Sequence, residues 1–316
     1  MMRKKENYLQ QFLPFCEWLS LPVVMTLMFL LCMAIPVVSI AQQSRADSLN
    51  SAAQSHSDSG NVSNRDAEGR PNNSASPAPA LRIVPNRAFR VGESLTYMIR
   101  YGQIIAGNAR LSIPQIIETQ GRPCYNIISE AWSNKFFSTF FKVEDRVESY
   151  TDVDGIFSWW FSKRLREGGF KLDHEVEFDQ INHLAIMKQG SKRDTMAVPP
   201  FVQDVLSAMY LVRTMNIAPG DSIFIDNHSD GKLFPLKIVV HRREKINIKA
   251  GRFTCLVVEP FLKTPALFQQ KGRVVVYLTD DERKIPVMMV SQIYVKAFKL
   301  GSVIAEAEKI EGVSGY

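Results

Sequence analysis

From Phe89 onward the chain alternates. Leu95, Tyr97, Ile99 and Tyr101 are separated by Thr96, Met98 and Arg100. That period of two predicts a half-buried strand. Ala109, Leu111 and Ile113 predict a second strand beyond a turn bracketed by Gly102 and Gly107. Cys124 to Ala131, Val143 to Asp152, Ile156 to Leu165, Lys171 to Phe178 and His183 to Lys188 extend the series. Turn signals at Gln120-Gly121, Asp154-Gly155 and Gly168-Gly169 divide it. Short strands at regular spacing predict a barrel, a sandwich or a curved sheet.

The period changes twice. Ser133-Asn134 is a helix cap before Lys135, and Phe136, Phe137, Phe140 and Phe141 follow at i, i+1, i+4 and i+5. This predicts a short apolar helix, either in the core or at the rim of a cavity. The second change is Pro199 to Asn216. Phe201, Val202, Val205, Leu206, Met209 and Tyr210 form one apolar stripe at helical spacing. Pro199-Pro200 fits the first turn and Pro219-Gly220 stops the helix. Gln203, Asp204, Ser207 and Arg213 lie mostly off the stripe. The helix reads as a core element packed on a sheet, or as a plug over an apolar interior.

The segments on either side of that helix read as copies. Gly92-Glu93-Ser94-Leu95 matches Gly220-Asp221-Ser222-Ile223, and Gly121 to Cys124 matches Gly251 to Cys255 with one residue inserted. Tyr150-Thr151-Asp152 matches Tyr277 to Asp280, while Phe261 to Gln270 is a weak echo of the Phe136 helix. The expected fold is mainly β: two related antiparallel meanders, about 89–196 and 218–316, joined by helix 199–216. Together they form a curved sheet or half-barrel, with one or two helices on its concave side.

The first 80 residues do not belong to that pattern. Arg3, Lys4 and Lys5 precede Leu21 to Ala41, which carries no charge, and Ser39 and Ala41 supply a cleavage site. Residues 1–41 therefore read as a signal peptide, or as an N-terminal anchor if uncleaved, and the chain as exported to the periplasm or cell envelope. Gln42 to Ala80 has almost no large apolar residues and reads as a disordered linker. Residues 81–316 are one β-rich domain.

Charge and candidate chemistry narrow the function further. The net charge is +6 but scattered. Its densest clusters, Lys163 to Arg166 and Arg242-Arg243, are not part of a nucleic-acid module, so no nucleic acid is expected. Outside the leader there are two cysteines, Cys124 and Cys255. In an exported chain they read either as one disulfide or as two thiols buried in strands. No metal or cofactor motif occurs. His174 faces away from Glu175 and Glu177 on a strand and reads as a surface histidine. Gly220-Asp221-Ser222-Ile223 resembles the nucleophile motif of GDSL-type esterases, but no histidine follows His241 to take the proton.

Several stretches taken together resemble a bacterial exported family. They are Val91-Gly92-Glu93 with Leu95 and Tyr97, Phe137 to Tyr150, Arg166 to Gly169, Val202 to Ala208 with Tyr210, and Gly251-Arg252-Phe253 with Cys255. The family is domain of unknown function 3108, with many members in Bacteroidota. The resemblance spans about Phe89 to Glu311. It implies export and a β-rich fold; it implies no activity and assigns no residue a role.

The leading expectation is a non-enzymatic envelope protein that binds a lipid, an acyl chain or a hydrophobic partner segment in the curved sheet. Phe136, Phe137, Phe140, Trp159, Trp160, Met209 and Tyr210 are its candidate ligand-binding residues. The rivals are a structural or assembly subunit that pairs with another envelope protein, and a hydrolase that uses Ser222.

Overall fold

The computed structural model describes residues 81–262, 272–295 and 298–313. The leader, the linker and most of the Phe261 to Gln270 echo lie outside the described residues. One antiparallel sheet dominates. Its first-half strands are β1 (Ser94–Tyr101), β2 (Ile104–Ser112), β3 (Ile116–Thr119), β4 (Arg122–Ser133), β5 (Glu144–Asp152), β6 (Ser158–Glu167), β7 (Phe170–Asp179), β8 (Leu184–Gln189) and β9 (Lys192–Ala197). Those of the second half are β10 (Ser222–Ser229), β11 (Lys232–Ile248), β12 (Gly251–Leu262), β13 (Gly272–Thr279), β14 (Pro286–Val295) and β15 (Phe298–Glu311).

The sheet runs β10-β11-β12-β13-β14-β15-β1-β2-β4-β5-β6-β7-β8-β9, with β3 paired to β4. It is not closed: β9 and β10 are its two edges. The last strand lies beside the first, Leu95 opposite Ile310 and Ile99 opposite Ala305. The chain thus meanders through one half of the sheet, leaves from one edge and re-enters at the other. The crossing is made by helix α2 (Val205–Thr214). A single core cluster joins Leu95, Tyr97, Val147, Val176, Leu206, Tyr210, Val258 and Val303, so strands from both halves enclose the helix.

The two strand entries share one backbone pattern. Gly92 and Gly220 have φ of +93° and +100°, which favours glycine. Gly92 N donates to Ile113 O and Gly220 N to Val240 O, both at 2.8 Å. Ile113 N returns to Glu93 O and Val240 N to Asp221 O, both at 2.9 Å.

The Phe136 helix starts at its expected Asn134 cap, but the long helix starts later than expected. Pro199-Pro200 does not begin α2; Phe201 sits in the left-handed region at φ +59° and Asp204 is the N-cap. The Asp204 carboxylate accepts from Leu206 N at 2.7 Å and Ser207 N at 2.9 Å, and Ser207 Oγ accepts from Asp204 N at 3.0 Å. This reciprocal cap satisfies orphan donors that proline would merely have removed. Gln203, Asp204, Ser207 and Arg213 are buried, against the expected polar face. The helix is surrounded, and its polar groups bond inward: Ser149 Oγ donates to Asp204 at 2.6 Å, and Gln203 Nε2 to Ile156 O at 3.0 Å. The other helix, α1 (Lys135–Ser138), is a single turn at one end of the sheet.

Candidate functional site

That single turn is held by polar groups. Asn134 Oδ1 accepts from Phe137 N at 2.9 Å, while Asn134 Nδ2 donates to Ile105 O at 2.7 Å. Ser133 Oγ meets Ser138 Oγ at 2.8 Å and accepts from Val143 N at 3.0 Å. With its backbone fixed this way, the turn sends its phenylalanines in two directions. Phe137 and Phe141 pack against the core. Phe136 and Phe140 point to solvent, 66% and 70% exposed, with ring centroids 5.5 Å apart. Full burial of one such ring is worth about 1.5–3 kcal/mol, so the two rings leave an unburied apolar patch on a well-anchored turn.

The neighbouring turns of the same sheet end extend the patch. Ile104 and Ile105, joined to Asn134 through the Ile105 carbonyl, are 55% and 50% exposed. Phe170, on the β6–β7 turn, is 41% exposed. That turn is bound to the residues after α1, since Gly168 N donates to Lys142 O at 2.8 Å. The Phe141 ring lies so close to Gly168 that a Cβ there would meet it at 2.6 Å. Ile104, Ile105 and Phe170 were not expected as site residues. The signal available was a pair of adjacent isoleucines beside Gly102, where strand alternation can bury only one of two neighbours.

The seven candidate residues are not gathered together. Phe136 and Phe140 are on this rim, with Phe137 beneath them. Trp159 is buried in a separate small cluster with Cys124 and Phe157, its indole N–H donating to Asp152 at 2.9 Å. Trp160 stacks on Tyr150 at 4.3 Å. Tyr210 is fully buried, edge-on to Phe89 at 4.7 Å and bonded to Glu93 at 3.2 Å. Met209 is half-buried; the space it lines with Tyr97, Leu206 and Met289 has room for about one water molecule, not an acyl chain.

Of the two arrangements expected for Cys124 and Cys255, the structure has two free thiols buried in strands and no disulfide. They occupy matching places in the two halves, opposite Asp152 and Thr279 respectively, and sit in separate clusters. Burial pushes both thiols up to about 12. His174 is buried rather than on the surface, in register with Lys163 across the β6–β7 pair. Ser222 is exposed at the start of β10, opposite Val239, while His241 is bonded to Glu259 at 2.7 Å. No group of three or more metal-ligating side chains converges among the described residues.

The outer face of the first half carries a charge ladder: Arg110 to Glu130, Arg146 to Glu130 at 2.8 Å, and Arg146 to Glu148 at 3.1 Å. Edge strand β9 is exposed along most of its length and bears Lys192, Arg193 and Asp194. Charge on an edge discourages pairing with another sheet. Among the described residues no helix is long and apolar enough to cross a membrane.

Residues 96–300 match the model of a protein family of unknown function, DUF3108. The chain belongs to this family. No curated protein matches this DUF3108 chain. Among solved structures it is similar to a β-barrel-like protein of domain of unknown function DUF1849 from Brucella abortus, at 11% identity and TM-score 0.48. That match covers 73% of this chain and 99% of the other. A Bacteroides fragilis protein with a YmcC-like fold matches at 16% identity and TM-score 0.26, covering 73% of this chain and 99% of its own.

Proposed function

We propose that this DUF3108 chain is an exported, non-catalytic binding module of the cell envelope, and that it takes its apolar partner on the aromatic rim rather than within the curved sheet. The observation that carries the reading is the contrast between Phe136 and Phe140, 66% and 70% exposed, and Tyr210, fully buried on a concave face occupied by α2. A carrier that encloses its ligand needs space beside α2; a surface binder needs exposed rings on an anchored turn. The leader pattern of residues 1–41 supports export.

The test is binding of an uncharged detergent micelle to the chain without residues 1–41, whose apolar segment would enter a micelle by itself, and to the Phe136→Ser/Phe140→Ser form of that same chain. The parent binds and the double variant does not, with unchanged near-ultraviolet circular dichroism. Equal binding by both chains, or a stoichiometric lipid recovered from the sheet interior, overturns the reading.

A further inference from the structure

Resting on that reading, we propose that the rim is a membrane-docking face that sets Phe136 and Phe140 into the headgroup layer of an anionic lipid bilayer.

The shape of the patch suits a bilayer. Phe136, Phe140, Ile104 and Ile105 project from two adjacent turns and do not line a groove. Aromatic side chains settle at the boundary between headgroups and acyl chains, and a few are enough when charge assists.

Charge does assist. Strand direction places the β1–β2, β4–β5, β6–β7, β8–β9 and β10–β11 connections at one end of the sheet. These connections and the strand starts beside them expose Lys135, Lys142, Lys171, Lys192, Arg193 and Lys232. The exposed acids there are Glu144, paired with Lys142 at 2.7 Å, Asp230, paired with Lys163, Asp173, paired with Arg166 at 2.8 Å, and Asp194. The connections at the opposite end and the strand starts beside them carry Glu118, Asp154, Asp179, Asp280, Asp281 and Glu282, but also Arg122, Lys249, Arg252, Arg283 and Lys284. The apolar tips therefore sit at the end with the excess of exposed base, whereas the opposite end is near balance, and that excess is complementary to anionic headgroups.

The covalent arrangement also permits it. The uncharged Leu21 to Ala41 segment is separated from Leu81 by residues 42–80. A chain of that length spans at most ~130 Å, against roughly 33 Å for a ten-residue strand. A chain still joined to its leader can thus bring either end of the sheet to the bilayer.

The test places a reporter on the rim of the full chain, as Phe140→Trp, and reads it against the parent. The vesicles are phosphatidylcholine alone, or phosphatidylcholine with phosphatidylglycerol, each with and without brominated acyl chains. With anionic vesicles the reporter's emission shifts to the blue and brominated lipid quenches it. Lys135→Glu/Lys142→Glu weakens that response at least ~10-fold, as does raising salt.

Vesicle association without quenching at position 140 shows that the leader alone tethers the chain, and overturns the proposal. A blue shift without vesicles that grows with protein concentration overturns it in favour of a second copy. Rim-dependent micelle binding with no vesicle response overturns this inference and leaves the apolar-partner reading standing. Loss of both overturns both.

Discussion

Arg213 on α2 grips both carboxylate oxygens of Glu93, at 2.6 and 2.7 Å, where neither side chain is more than 1% exposed. Burial alone lowers the affinity of Arg213 for its proton; the Glu93 carboxylate more than offsets this and raises it. The same guanidinium donates to Ala88 O at 3.2 Å and Arg283 O at 3.1 Å, and Tyr210 OH adds a bond to Glu93. One side chain therefore ties the helix to the segment before β1 and to the turn between β13 and β14.

Removing one partner of such a pair is costly because it strands the other. Arg213→Met is expected to lower unfolding stability by about 3–5 kcal/mol. Arg213→Met/Glu93→Leu is expected to recover a large part of that loss, since a buried ion pair is often no better than an apolar pair. Urea unfolding midpoints of the parent, both singles and the double test this. Purely additive losses in the double would refute the coupling.

The β framework was legible because alternation is a local property. Leu95, Tyr97 and Ile99 face the core as their spacing predicts, and the matched glycines before β1 and β10 make the same turn. What stayed hidden depends on partners distant in sequence. Arg213 looks like a surface residue until Glu93, 120 positions away, is placed beside it. Phe136 and Phe140 look like core residues, because apolar character does not reveal that Asn134 and Ser133 fix the turn with those rings outward. The site was half legible: the phenylalanine cluster was visible, but not its side of the surface.

Acid should loosen the join between β10–β11 and β6–β8. His228 lies edge-on to Phe178 at 5.5 Å, and its neighbours include His174, Lys163 and Asp230. Burial, then the His174 charge, push His228 down to about 4, with Asp230 opposing; burial and Lys163 lower His174, with Asp230 and Glu175 opposing. A base held below its unfolded value of about 6.5 contributes stability that is complete above that pH and is lost as pH falls toward 4. His228→Leu is expected to flatten the stability–pH curve between about 6.5 and 4. Unfolding midpoints at closely spaced pH values check it, and an unchanged slope would count against the placement of this histidine.

The carboxyl pair of Asp145 and Glu167 has the opposite sign. Asp145 accepts from Arg166 N at 2.8 Å and shares a hydrogen bond with Glu167, which is 1% exposed. Burial pushes Asp145 above the ordinary carboxylate range, outweighing those bonds. An acid raised on folding contributes stability at low pH that is lost as pH rises through the folded value. Asp145→Asn keeps an oxygen for Arg166 N and removes the charge. It is expected to stabilise the protein near pH 8 and to leave it almost unchanged near pH 4. Equal effects at both pH values would show that the charge is not what matters at this position.

The two thiols provide a check on the sheet itself. Cys124 and Cys255 face different clusters, each at 0% exposure, and burial raises both far above the value of a free thiol. A thiolate is the reactive form, so both are expected to be inert toward an alkylating reagent in the folded chain and to react together on unfolding. The rate of labelling should follow global opening rather than reagent concentration, because each cysteine is buried and its strand is paired on both sides. Reductant should leave the unfolding midpoint unchanged. Mass spectrometry of the alkylated, unreduced protein decides between the arrangements: full labelling after unfolding fits two free thiols, whereas a mass that lacks both labels until reductant is added would mean that they are bonded. Such a bond would have to join equivalent strands of the two halves, which this sheet order keeps apart.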